Sequence, residues 1–285
     1  MKVLLAMTTD GKLTYCTASP ENRGRSKCNH VGHQNENETE DEFVKRISKD
    51  LLKATANERC DILNLSETEK LDMVENHENL DILINDEDPD IRVAVAKQGF
   101  GLTKLSKDKN PKVRAAVAEQ DYELDKFIND KNWLVRTAVA KQGFGLDRLV
   151  DDKDSFVRKT VAKQEYGLDK LVNDENLNVR VTVAEQGYGL DKLVDDKDTE
   201  VRAAVAAQGY GLDKLINDES LFVRRAVAGK RYGLDKLIND KDEYVRAAVA
   251  EQGYGLDKLA NDEVLYVREA VAEQRDINKL INGED

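Results

Sequence analysis

The sequence predicts an all-α repeat solenoid: nine stacked 22-residue units of two short helices each, behind a small N-terminal β-hairpin module. Three observations carry this. Arginine recurs at 92, 114, 136, 158, 180, 202, 224, 246 and 268, an interval that never slips. An aspartate stands six residues before each arginine, from Asp86 to Asp262. Valine and alanine stand three and four residues after it, from Val95-Ala96 to Val271-Ala272. A fixed period of this size marks a repeat array, in which one unit cannot bury its apolar face alone and stacking supplies the core.

Residues 1–38 form the first predicted module. Val3 to Met7 is apolar, Asp10-Gly11 is a two-residue turn signal, and Leu13 to Thr17 returns as the second strand of a hairpin. A loop from Ser19 to His33 follows, then a polar linker. Residues 39–79 read as a helical N-terminal cap. Thr39-Glu40-Asp41-Glu42 is a capping box that opens a helix through about Lys53, with Phe43, Ile47 and Leu51 on one face. Ser66-Glu67-Thr68-Glu69 is a second box. Shifted by 22 residues, the segment after it lies over the first repeat with Lys70 in place of arginine.

Residues 80–285 hold the repeats and a C-terminal cap. In the copy from Gly167 to Tyr188, Leu168-Asp169-Lys170-Leu171-Val172 predicts a helix of a turn or so, apolar at i, i+3 and i+4. The loop that follows ends in an N-cap position occupied by Asp or Asn in most copies, with Ser220 and Val264 as exceptions. The second helix carries Val179, Val183 and Ala184 as its buried stripe, and Gly187 closes it. In the last copy Arg275-Asp276-Ile277 replaces Gly-Tyr-Gly-Leu, and the chain runs out through Leu280-Ile281 as a cap.

The signature Asp240-Lys241-Asp242-Glu243-Tyr244-Val245-Arg246-Ala247-Ala248-Val249-Ala250 resembles HEAT-like repeats, and more closely the leucine-rich repeat variant. The likeness covers residues 80–281. It departs from those families in its shorter period and in a Gln-Gly-Tyr-Gly connection where they carry proline. The resemblance implies a right-handed superhelical scaffold that binds other macromolecules and shares no common chemistry.

Each constant column has a structural reading. Asp174 and Asp196 sit in interhelix loops, where a carboxylate accepts backbone N–H bonds. Arg180 and Arg202 present forks suited to a carboxylate of their own or the adjacent repeat, forming a ladder that sets register. The aromatic column from Phe100 to Tyr254 is read as loop packing, and the glutamines beside it as ties between the same loops. The variable positions carry the functional expectation. Polar residues are expected two and three places before each arginine, at the solvent-facing start of the second helix. The chain instead has Trp133-Leu134, Phe156, Leu177, Leu221-Phe222, Tyr244 and Leu265-Tyr266. This row predicts a partner-binding ridge; the competing reading folds some of these side chains onto the neighbouring repeat.

Cys16, Cys28, His30 and His33 are candidate ligands for one structural zinc ion, two thiolates and two imidazoles being a sensible tetrahedral set. A thiol or metal enzyme at Cys16 or Cys28, and a small phosphate or nucleic-acid site around Arg23, Arg25 and Lys27, are alternatives for the same loop. The net charge of −12 makes the repeats a poor wrapper for nucleic acid. An odd count of three cysteines fits a reducing cytoplasm, and no apolar run is long enough to span a membrane. The expected protein is a cytoplasmic, monomeric, non-enzymatic scaffold for protein–protein interaction. The competing class places a nucleic-acid-directed or metal- or thiol-dependent activity in residues 1–38.

Overall fold

The computed structural model describes residues 2–7, 13–18, 30–33, 39, 42–46 and 60–282. The chain divides into two compact units, Met1–Gln98 and Gly99–Asp285. In the first, β1 (Lys2–Met7), β2 (Leu13–Ala18) and β3 (His30–His33) pair antiparallel in the order β1-β2-β3. The register runs from Lys2 opposite Ala18 to Met7 opposite Leu13, and from Thr14 opposite His33 to Thr17 opposite His30. β3 occupies a stretch read from sequence as loop. The Asp10-Gly11 turn and the helix beyond residue 46 fall outside the described residues.

Both capping boxes form. The Thr39 backbone N–H donates to Glu42 Oε2 at 3.0 Å, and the Glu42 N–H donates to Thr39 Oγ1 at 3.3 Å. Ser66 and Glu69 repeat this arrangement ahead of the helix Glu67–Glu75. Phe43 and Val74 are buried, and Cys60 is exposed. Lys70 lies 2.9 Å from Asp86 Oδ2, both groups buried, so an ion pair occupies the Arg–Asp position already in the cap.

The second unit is a helical repeat array. A four-residue helix alternates with a longer one, as in Leu168–Leu171 and Leu177–Glu185. The short helix is a single turn. Val172 N–H reaches Leu168 O at 2.9 Å, and the tighter Asp174 N–H to Leu171 O bond at 3.0 Å ends it. The long helix ends in a Schellman motif: Gly187 N–H bonds Ala184 O at 2.8 Å and Tyr188 N–H bonds Val183 O at 3.2 Å. Gly187 supplies the left-handed φ of 73° that this ending needs.

Long helices pack on their successors, from Pro111–Ala118 through to the last, Leu265–Asn282. Their buried stripe is constant: Val179, Val183 and Ala184 are fully enclosed, as are Val201, Val205 and Ala206 one repeat on. Leu171 and Val172 of the short helix close the core from the other side. The last helix runs on for 18 residues, through Arg275-Asp276-Ile277, where the other copies turn.

Candidate functional site: an apolar row on the long-helix N-termini

The row is set in place by hydrogen bonds that begin in the core. Arg136 donates from Nε and Nη2 to both oxygens of Asp152, at 2.6 and 2.7 Å, and from Nη1 to the backbone carbonyl of Asp130, at 2.8 Å. Asp152 Oδ1 accepts the Asp154 N–H at 2.9 Å, and Asp154 Oδ1 accepts the Phe156 N–H at 3.0 Å. A buried guanidinium is thus linked through two carboxylates to the first turn that displays Phe156. Arg202, Asp218, Ser220 and Phe222 repeat the chain. So do Arg224, Asp240, Asp242 and Tyr244.

Among the described residues of the second unit, seven such arginine forks join consecutive repeats, from Arg114–Asp130 to Arg246–Asp262. Arg180 and Arg202 bind Asp196 and Asp218 of the following repeat, and Asp174 is bound by Arg158. Burial pushes the Asp196 carboxyl up, but the Arg180 fork and the Asp198 N–H outweigh it and hold the group below its ordinary value. At Asp262 the Arg246 bond is the largest cause, with the same net direction. The arginines are raised in turn, first by the carboxylate bond.

Two further ties between repeats lie on the surface. Gln142 and Gln208 donate to the carbonyls of Glu119 and Glu185, in the last turn of the preceding long helix, at 3.2 and 3.1 Å. Lysines of the short helices reach back to the preceding loop: Lys170 to Asp151, Lys214 to Asp195, Lys236 to Asn217 and Lys258 to Asn239. Arg148 does the same to Asn129 at 2.8 Å. These lysine contacts were not foreseen from the sequence. Their signal was a cation at a fixed place in every short helix from Leu102–Leu105 onward, followed three residues later by Asp or Asn in all of these copies but the one with Lys107.

On this frame the ridge residues separate into two kinds. Phe222 and Phe156 are 63% and 60% exposed, and Leu265, Tyr244, Tyr266 and Trp133 are also open to solvent. Leu134, Leu177 and Leu221 are half-buried against the array. Rings on neighbouring repeats touch. Trp133 stacks on Phe156 with centroids 5.0 Å apart and planes at 26°, and Tyr244 meets Tyr266 at 5.3 Å. Of the three repeats between these pairs, the middle one interrupts the row with Thr199 and Glu200, flanked by Leu177 and Leu221-Phe222. The row therefore consists of an aromatic patch at each end and a polar break between. The second aromatic column, with Tyr166, Tyr188 and Tyr210, is also about two-fifths exposed, held by the Schellman turns.

The clefts between successive repeats are shallow and lined by the ladder itself, as at Arg180, Lys192 and Asp196. Among the described residues no cluster of three His, Cys, Asp or Glu side chains could hold a metal ion, and no helix is long and apolar enough to cross a membrane. Of the proposed zinc ligands, Cys28 falls outside the described residues. Cys16 lies on β2 opposite Val31, and His30 and His33 lie on β3 opposite Thr17 and Thr14. No protein-family model matches the chain, and no curated protein matches it.

Proposed function

We propose that this chain is a non-enzymatic, cytoplasmic scaffold of the HEAT-like or leucine-rich-variant kind, right-handed in its superhelix, that binds a protein through the apolar row. The observation that carries this is the exposure of Trp133, Phe156, Phe222, Tyr244 and Tyr266 on a single row of helix N-termini. Large exposed rings on rigid backbone are the residues that supply most binding energy when a partner covers them. The ladder beneath lowers the ordering cost of docking, because each ring's first turn is already tied to the core.

The test is affinity capture from cell extract with the wild-type chain, followed by the same capture with Phe222→Asp. Loss of one defined protein in Phe222→Asp, with retention in Asp195→Asn, supports the ridge. Equal capture by both variants rejects it.

For residues 1–38 we propose one structural zinc ion held by Cys16, Cys28, His30 and His33. What supports it is the β2–β3 register, which puts Cys16 and His33 two rungs apart on one face of the sheet; His30, one rung from Cys16, falls on the other face. Zinc content of the wild type against Cys28→Ser decides between this and the thiol-enzyme alternative: equal metal in both excludes the site.

A further inference from the structure

We propose that the ridge recognises a second copy of this chain, the two copies docking antiparallel about a twofold axis at the Arg202 repeat. The inference rests on the reading of the ridge as a binding surface and names its partner.

The argument is a symmetry in the residue order. Count outward from Arg202, whose repeat presents Thr199 and Glu200. One repeat away on either side stand Leu177 and the Leu221-Phe222 pair; two away stand Phe156 and Tyr244; three away stand Trp133-Leu134 and Leu265-Tyr266. Reversing one copy against another places an apolar group on an apolar group at every repeat except the axis itself. A C2 interface needs this self-complementarity, since each surface must match its own reverse.

Charge gives the orientation. Five residues after each arginine from Arg136 to Arg268, on the exposed side of the long helix, the chain has Lys141, Lys163, Glu185, Ala207, Gly229, Glu251 and Glu273. Lys141 and Lys163 lie on one side of the axis and Glu251 and Glu273 on the other, with Ala207 at the centre and Glu185 and Gly229 flanking it. The antiparallel arrangement sets Lys141 against Glu273 and Lys163 against Glu251, each pair occurring twice. All four are exposed, and Lys141 lies 3.6 Å from Glu119 within its own chain. Glu185 faces Gly229, one turn along the same helix from the exposed Arg225. A parallel, in-register arrangement would set each of Lys141, Lys163, Glu185, Glu251 and Glu273 against its own copy, which electrostatic complementarity disfavours.

The dimensions suffice. The helices between the Trp133 and Leu265 ends are separated by steps of roughly 8–10 Å, giving an edge of about 50–60 Å. A nine-residue helix is about 13 Å long, so the strip is on the order of 700 Å². A standard interface covers ~800 Å² per partner.

Sedimentation velocity on the full chain, across about 1–100 μM, the weak end of the affinities that interfaces of this size show, is expected to show a monomer–dimer equilibrium. Lys163→Glu and Glu251→Lys should each weaken it roughly tenfold, because each change removes two symmetry-related pairs and creates two repulsions. Combining them should restore dimerisation, and Glu200→Gln should tighten it by relieving the like charges on the axis. A monomer at every concentration, or a double charge swap no better than the single changes, overturns the proposal. The outcome also separates this inference from the function it rests on. If Phe222→Asp loses a captured protein while the wild type stays monomeric, only self-docking fails. If Phe222→Asp keeps both the captured protein and the dimer, the ridge itself is rejected.

Discussion

Asp198 turns away from the helix it begins and binds Arg180 of the preceding repeat, its Oδ2 2.6 Å from Nη2. In the neighbouring copies the same position caps its own helix: Asn176 accepts the Asn178 N–H at 2.9 Å, and Asp242 accepts the Tyr244 N–H at 3.0 Å. Asp198 makes no such cap bond. Arg180 therefore holds a second carboxylate at the expense of one helix start. Asp198→Asn should return the side chain to capping, a gain of about 1 kcal/mol. It gives up a partly exposed ion pair of similar or smaller worth. Denaturant titration should find the variant within ~0.5 kcal/mol of wild type, whereas Asp198→Ala, which supplies neither bond, should lose about 1 kcal/mol.

Asp196 is the opposite case. Its two oxygens take the Arg180 fork at 2.7 and 2.9 Å, and Oδ1 also accepts the Asp198 N–H at 2.9 Å. Asp196→Asn leaves the enclosed guanidinium with only the partly exposed Asp198 as counter-charge and should cost at most about 3 kcal/mol, the low end for breaking a buried pair. Replacing both residues by apolar ones, Arg180→Met with Asp196→Leu, should cost less than the single change.

The same carboxylates set the response to acid. Asp130, Asp152, Asp196, Asp218, Asp240 and Asp262 all have folded-state pKa values held below the ordinary one. The unfolded state therefore binds protons first as pH falls. The stabilisation is complete above the unfolded carboxylate value of about 3.9 and is lost as pH drops through the folded values. Circular dichroism should show a flat stability from neutral pH to about 5, then a steep loss below 4. A stability that declines steadily between pH 7 and 5 would show that other groups govern it.

Lys70 carries the ladder into the cap with a poorer fit. Its ammonium is 2.9 Å from Asp86 Oδ2, yet no hydrogen bond is directed at that oxygen, while Oδ1 accepts the Asp88 N–H at 2.9 Å. A point charge cannot make the fork that arginine makes at this place in the later repeats. Lys70→Arg should add about 1 kcal/mol, read as slower amide exchange in the helix Glu67–Glu75. Lys70→Met, which strands the buried Asp86, should speed it.

How much of this was legible in the sequence depends on the range of each contact. Helix starts and ends were readable because capping is local: Asn176 before Leu177 and Gly187 after Gln186 act on backbone a few residues away. The columns Arg180 and Asp196 announced a pair, but an aspartate lies both six residues before and sixteen after each arginine except the last. Spacing alone could not choose between own and adjacent repeat. The structure divides the guanidinium between them, with the next repeat's carboxylate and its own repeat's carbonyl. The Lys214 to Asp195 contact went unforeseen because it crosses repeats and looks like ordinary surface charge. At the ridge, Phe222 was readable as exposed from its place in the first turn. The half-burial of Leu134 and Leu221 depends on how neighbouring helices pack, which periodicity does not express.

Gly189 tests how tightly neighbouring repeats fit at the turn. Gly187 and Gly189 both hold left-handed φ, 73° and 61°, but their surroundings differ. A Cβ on Gly187 would meet nothing within 4 Å, whereas one on Gly189 would lie 2.5 Å from Val172 Cγ2. Gly187→Ala should cost only the left-handed backbone penalty, about 1–2 kcal/mol. Gly189→Ala should add an overpacking term of roughly 1–3 kcal/mol. One repeat already carries the compensated form. Glu123 occupies the Gly189 place with φ 50°, and seventeen residues earlier, where the other copies have Val or Ile except for Ala260 in the last, stands Ser106. Ser106→Val should therefore destabilise the wild type, although valine suits that place elsewhere. Combined with Glu123→Gly it should become stabilising, and thermal melts of the two single variants and the double one give the coupling directly. Additive effects would mean that Glu123 tolerates its backbone for a reason unrelated to Ser106.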